Sequence, residues 1–243
     1  MASVKEIPEA RAHRPWPLPQ GNWAYYQEWN RALFLHWKVS VEALRPHVPA
    51  SLEIDLYEGQ AWVSLVAFTM ERIRPRLLPA LSFISDFHEI NVRTYVTHHN
   101  KAGVYFLNIE AGKTLSAVVS RALSGLPYEK SEIVRKTEGE RHIHRSVLQR
   151  KGFYLNADLR LHEAVENKTA PDNWLTERYC LYQERNGRLS CYDIHHAEWP
   201  LRRIQMNDMH LDYRIGALHL QYPADLVHYS DGVQVLAWGR KFV

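Results

Sequence analysis

Only two of the 243 residues are cysteine, Cys180 and Cys191. So few thiols exclude a small domain stapled by disulfides, and with no CxxC spacing they offer no thiolate zinc site. Long hydrophobic runs are also missing. No stretch approaches the ~18 consecutive apolar residues of a membrane span. The first twenty residues, MASVKEIPEARAHRPWPLPQ, lack the apolar core of a secretory leader, so the cytosol is the expected compartment. Neither sign of charge dominates: 30 Lys and Arg face 27 Asp and Glu, for a net charge of +3. That balance gives no electrostatic case for nucleic acid and leaves room for a homo-oligomer. A glycine-rich phosphate loop and a GxSxG nucleophile elbow are both absent, and no cofactor is expected.

Aromatic residues are plentiful at 12%, and 46% of the chain is hydrophobic, enough for a sizeable core. Residues 1–22 read as a flexible, proline-bearing arm and 23–243 as a single domain. Ser40 caps a short helix over VEALRPHV. LEIDLYEGQAWVSLVAFTMERI reads as two strands around Glu58-Gly59, the second apolar enough to be buried on both faces. HEINVRTYV alternates, with Ile90, Val92, Thr94 and Val96 on one face and Glu89, Asn91, Arg93 and Tyr95 on the other. GVYFLNIEA is its expected partner. A helix capped by Thr114 and stopped at Gly125 follows. FYLNADLRLHEAV is a clean strand, and the Asn186-Gly187 pair predicts a hairpin with Cys180 opposite Asp193 and Cys191 opposite Tyr182. On that register the thiols are diagonal neighbours and are expected to be reduced. The final segment is read as another hairpin, turning at Asp231-Gly232. Many strands and few helices predict a mainly antiparallel domain, closed or nearly so.

Fourteen histidines raise the question of metal. His142 and His144 share one face of a strand, but no glutamate follows at a useful spacing and Arg141 and Arg145 repel a cation, so no metal is expected. His98-His99 and His195-His196 point to opposite faces. RKTEGERHIHRSVLQRK, the most basic stretch, reads as a solvated hairpin turning at Glu138-Gly139. Glu89 and Arg93 carry more information. On an outer face they form an ordinary solvated ladder; inside a small barrel they become a cavity lining, an acid and a cation placed to orient a polar ligand. The pattern leaves both open.

LFLHWKVSVEALRPHVPASLEIDLYEGQAWVSLVAF, FHEINVRTYV, SGLPY, ERYCLY with IHHAEWPL, and DGVQVLAW together resemble the YqjF-like family of bacterial proteins, within the acetoacetate decarboxylase-like superfamily. The resemblance spans about residues 27–240. It implies an α+β, mainly β fold: an antiparallel β-barrel or cone with a central, mostly apolar cavity and a few peripheral helices. In the decarboxylases a lysine after a helix-Gly-aromatic-Pro turn forms a Schiff base with a β-keto acid. Here RALSGLPYEK resembles that turn, but Tyr128 stands where the nucleophile belongs and Glu129 where its partner lysine belongs. A phenol forms no imine. Lys130 lies two residues on, displaced about 6.6 Å along a strand. The resemblance therefore implies a barrel without the Schiff-base lysine, with Glu89, Arg93, Tyr128 and Lys130 as candidate catalytic residues. A small carbonyl or organic acid is the expected ligand, and any activity is of a non-Schiff-base lyase or hydrolase type. The alternatives are a non-catalytic binder and a structural or oligomerisation role with a filled barrel.

Overall fold

The computed structural model describes residues 4–81, 85–113 and 128–243. In chain order these form β1 (Tyr25–Val39), α1 (Val41–Leu44), β2 (Glu53–Ile54), β3 (Ala61–Pro75), β4 (Phe87–His98) and β5 (Lys101–Ala111). Next come β6 (Tyr128–Lys130), β7 (Glu132–Glu138), β8 (Arg141–Leu148), β9 (Phe153–Ala164) and α2 (Ala170–Thr176). The chain then runs through β10 (Cys180–Arg185), β11 (Arg188–His195), β12 (Leu201–Ile215), β13 (Leu218–Gln221), β14 (Leu226–Ala237) and β15 (Lys241–Phe242).

Seven strands close into a ring. β11, β10, β5, β4, β3, β1 and β14 are hydrogen-bonded in that order, and β14 pairs back onto β11 through Ile194 and Ala237. All these pairings are antiparallel except β10 with β5. Closure removes the open edges that long apolar strands would otherwise expose. The sheet continues from β14 through β12, β9, β8 and β7, and this extension covers one wall of the ring. Leu155, Ala157, Leu159 and Leu161 of β9 share one core with Leu33, Leu35, Val63, Leu65 and Val92 on the outer faces of β1, β3 and β4. Each Leu or Val side chain so buried contributes about 1.5–3 kcal/mol. The double burial explains why every residue of β3 from Ala61 to Met70 is buried.

Two bulges set which residues face the inside. Arg31, with φ +53°, interrupts the pairing of β1 with β3 between Asn30 and Leu33. An extra residue reverses the in-out alternation. Tyr25, Gln27 and Trp29 therefore face inward before the bulge and Phe34 after it. β5 does the same opposite Val92 and Arg93.

The Ser40 cap is present, its Oγ accepting from Ala43 N–H at 3.1 Å. The Asn186-Gly187 hairpin has the expected register, Cys180 opposite Asp193 and Tyr182 opposite Cys191, and both thiols are free and buried. Two expectations, the Asp231-Gly232 hairpin and the loose N-terminal arm, need revision. Asp231-Gly232 is not a turn: β14 runs straight through it. Gly232 has φ +138°, and a Cβ there would lie 2.6 Å from the Trp29 carbonyl oxygen. The glycine serves close strand approach, not reversal. The two strands expected around Glu58-Gly59 are β2 and β3; β2 pairs with β4, and the turn itself closes the Tyr57–Gln60 bridge. The N-terminal segment lies against the barrel from residue 4 onward. Ile7 packs with Tyr26, Leu236 and Trp238, and buried Arg14 reaches Asp193 at 3.6 Å. The helix expected over 114–125 lies outside the described residues. Among those described, no helix is long and apolar enough to cross a membrane.

Candidate functional site

The ring encloses a cavity of about 130 Å³. Its walls come from alternate residues of the ring strands: Phe34 of β1, Val66, Phe68 and Met70 of β3, and Val104 and Phe106 of β5. β4 contributes the polar stripe. Glu89, Asn91 and Arg93 all line the cavity and are 3%, 4% and 8% exposed. Ile90, Val92 and Thr94 face the other way, as strand alternation requires.

Tyr128 enters from β6, which pairs in parallel with β5 through Ile109 and Tyr128. Its hydroxyl donates to Glu89 Oε2 at 2.9 Å, and Asn91 Nδ2 donates to Glu89 Oε1 at 3.2 Å. Burial raises the Glu89 carboxyl to about 7, against the opposing effect of the Asn91 and Tyr128 hydrogen bonds. Burial, then the charge of Glu89, pushes the Tyr128 phenol well above its ordinary value of 10.0. Near neutral pH the pair is thus a half-neutral acid beside a phenol that keeps its proton. Tyr128 can donate a hydrogen bond to a developing oxyanion but cannot serve as a base, whereas Glu89 can both give and take a proton.

Arg93 lies further along the stripe. Its guanidinium carbon sits 5.7 Å from the Phe34 ring and 5.9 Å from the Tyr95 ring, within cation–π range of both. Its Nη2 donates to the Leu175 carbonyl at 3.3 Å, and its buried Nε has no hydrogen-bond partner. No carboxylate lies within ion-pair distance of Arg93 among the described residues. Arg178 also lines the cavity, but its Nη1 is held 2.5 Å from Asp55. That pairing leaves Arg93 as the cavity's uncompensated cation among the described residues.

Glu89, Arg93 and Tyr128 are therefore brought together on one cavity, and Lys130 is not among them. Lys130 pairs with Ala111 at the outer end of β6 and is exposed, because two residues of strand carry it past the barrel rim. Glu129 points away too. Burial works to raise its carboxyl, but hydrogen bonds from Arg150 and Lys151 outweigh that and hold it low. Sequence reasoning missed Arg178 and His196. Arg178 sits between α2 and β10, where no periodicity marks it. His196 lines the cavity while His195 turns outward to the Ile7 carbonyl at 2.9 Å. His142 and His144 are core residues rather than ligands. His142 meets the Tyr229 hydroxyl at 3.1 Å, and His144 receives the Arg135 guanidinium. No group of three or more candidate ligands able to hold a metal occurs among the described residues.

The fold is similar to that of an acetoacetate decarboxylase-like enzyme from Sphingomonas wittichii RW1, with a TM-score of 0.61 and 16% identity over 95% of this chain and 97% of that one. It is equally similar to the enduracididine biosynthesis enzyme MppR complexed with pyruvate: TM-score 0.61, 10% identity, 94% of this chain and 93% of that one. At those identities the likeness is one of fold. In sequence the chain is 35% identical over 231 residues to the uncharacterized protein YqjF of Bacillus subtilis (strain 168), covering 91% of this chain and 93% of that protein. Residues 26–234 match the family DUF2071, described as an uncharacterized conserved protein. The chain thus belongs to the DUF2071 family, YqjF among its relatives, and has an acetoacetate decarboxylase-like fold.

Proposed function

We propose that the barrel holds a small organic acid or carbonyl compound, with Arg93 on its carboxylate and the Glu89–Tyr128 pair at its other polar end. The observation that carries this reading is Arg93. A buried guanidinium without a counter-charge costs several kcal/mol, and an anionic ligand is the group that offsets it. The volume of about 130 Å³ is close to the ~150 Å³ of an apolar cavity that takes up benzene, so the ligand's body is no larger than about one ring. That the fold neighbour MppR was solved with pyruvate supports a small oxo acid.

Chemistry in this site would proceed without an imine. No lysine lines the cavity among the described residues, and 114–127 contain none. Glu89 in its neutral form supplies the proton, and Tyr128 steadies the oxygen that gains charge, in a lyase or hydrolase-type step on a carbonyl compound. Binding without turnover is the second reading. It is favoured by the hydrogen bonds that already occupy both Glu89 oxygens. The open volume argues against a purely structural, filled barrel.

Calorimetric titration with pyruvate at pH 7 tests the proposal. Wild type should bind, and Arg93→Met should bind at least about tenfold more weakly, the loss of one charge-assisted hydrogen bond. Borohydride treatment in the presence of pyruvate should leave every lysine unmodified. Equal affinity in the two proteins would sink the anchoring role of Arg93. A stoichiometric adduct on any lysine, Lys130 included, would sink the imine-free route.

A further inference from the structure

A second set of polar groups runs from an outer groove to Arg93. Asp172 Oδ1 lies 2.8 Å from His228 Nε2, and His228 Nδ1 lies 2.9 Å from His36 Nε2. His36 Nδ1 is 2.6 Å from Ser64 Oγ, which is 2.6 Å from the Tyr95 hydroxyl. That hydroxyl is 2.9 Å from the Leu175 carbonyl oxygen, the one Arg93 also holds. His36, Ser64 and Tyr95 are wholly buried. The outer end meets solvent: the Asp172 and His228 side chains, 16% and 10% exposed, border a groove with Thr169 and Tyr222.

With His228 charged, four protons fill the four contacts from His228 to the Leu175 carbonyl; with it neutral, three remain, and the contact left empty is the one whose carbonyl keeps a second donor in Arg93. The Asp172 carboxylate accepts, so His228 Nε2 always carries a proton. With His228 neutral, its Nδ1 is bare and accepts from His36 Nε2–H. His36 Nδ1 then takes the Ser64 proton, Ser64 takes that of Tyr95, and the Leu175 carbonyl serves Arg93 alone. With His228 charged, its Nδ1–H donates to His36 Nε2. His36 now donates through Nδ1 to Ser64, Ser64 to Tyr95, and Tyr95 to the Leu175 carbonyl, which it shares with Arg93. His36 stays neutral in both; burial, then His228 and Arg93, disfavours its charge. Only its tautomer changes.

We propose that His228 is a proton sensor for the cavity: a proton taken up at the groove reverses each hydrogen bond from His36 to Tyr95 and loosens Arg93 from the Leu175 carbonyl. The groups facing His228 are Asp172 of α2, Lys168 just ahead of that helix, and His36 of β1; Ser64, Tyr95 and Arg93 face His36. The reversal stands on the hydrogen-bond geometry and on a His36 that burial keeps neutral. Its consequence, tighter holding of an anion when His228 is charged, rests on the ligand reading above.

Long-range proton–nitrogen NMR on the full chain reads the tautomer and charge of each imidazole, with His36 and His228 assigned through His36→Gln and His228→Gln. At any pH the pair should show one of two combinations: neutral His228 with His36 protonated on Nε2, or charged His228 with His36 protonated on Nδ1. The Arg93 Nε–H resonance should shift with the same midpoint as His228. Either crossed combination, or a doubly protonated His36, overturns the relay. An Arg93 resonance that ignores the His228 titration overturns its reach to the cavity. In Glu89→Gln, where the cavity acid no longer titrates, pyruvate should bind about fivefold more tightly below the His228 midpoint, an ordinary coupling. Binding at one affinity on both sides of that midpoint overturns the coupling. No binding at any pH, with the NMR behaviour intact, leaves the relay standing and removes the carboxylate reading.

Discussion

Glu89 is held in its place against its own charge. Its carboxyl sits at about 7 in the fold against an ordinary 4.5, because burial outweighs two hydrogen bonds. Between those values the folded chain binds more protons than the unfolded one, so stability falls as pH rises from about 4.5 through about 7 and is level above that. A shift of that size corresponds to about 3 kcal/mol at most. Glu89→Gln has no charge to bury and keeps an acceptor for the Tyr128 hydroxyl. Measured by urea unfolding, the stability difference between variant and wild type should move in the variant's favour by up to about 3 kcal/mol between pH 4.5 and pH 8. Glu110, also raised to about 7, is present in both proteins and cancels. A difference that does not change with pH would mean that Glu89 titrates like an exposed carboxylate, and its use as a neutral acid would go with it.

At the scale of elements, alternation was the legible signal and close approach was not. HEINVRTYV reports its two faces in the sequence because a strand inside a closed barrel buries one set and points the other into the cavity. That placed Glu89, Asn91 and Arg93 together. What alternation leaves undecided is whether the polar face meets water or a cavity, because only ring closure through β14 and β11 settles it. Bulges are silent for a related reason: nothing in YYQEWNRALFLHWKV marks Arg31 as the residue where in and out exchange. Asp231-Gly232 misled because a glycine needed for a turn and one needed for contact look alike in sequence. The two differ in what a methyl group would meet. At Gly232 it meets the Trp29 carbonyl oxygen and Asn30 Oδ1, on a backbone at positive φ. Gly232→Ala should therefore destabilise the fold by roughly 2–4 kcal/mol, far more than a hairpin substitution at an open turn. Gly187→Ala, with nothing within 4 Å of its added methyl, is the comparison. Equal losses in thermal unfolding would show that φ alone, not crowding between β14 and β1, fixes the glycine.

The whole molecule buries histidine on a scale that shapes its response to acid. Burial holds His36 and His144 well below 6.5, lowers His88 and His195 to about 4, and lowers His196 too. Each is neutral in the fold and takes a proton on unfolding below about pH 6.5, so each contributes stability that is present above 6.5 and lost as pH falls toward its folded value. Glu89 and Glu110 act in the opposite sense between about 4.5 and 7. The two sets oppose one another across the weakly acidic range. Below about 4.5 Glu89 and Glu110 add nothing more, and carboxylates that hydrogen bonds and neighbouring charges hold low, Glu129, Asp172 and Glu177 among them, join the histidines in losing stability as they take protons. Five histidines against two carboxyls leave a net loss, so the urea midpoint should fall as pH drops from about 6.5 toward 4.5 and go on falling below that. His195 is the residue on which to check the cause. Its Nε2–H donates to the Ile7 carbonyl, and its buried Nδ1 has no partner, so a second proton would have nowhere to go. His195→Gln keeps a donor for Ile7 and cannot be charged. The variant should take up about one proton fewer on unfolding near pH 5, seen as a shallower acid limb. An acid limb as steep as wild type would mean that His195 is already protonated in the fold, and that the N-terminal segment is fastened to the barrel by a charge rather than by a neutral imidazole.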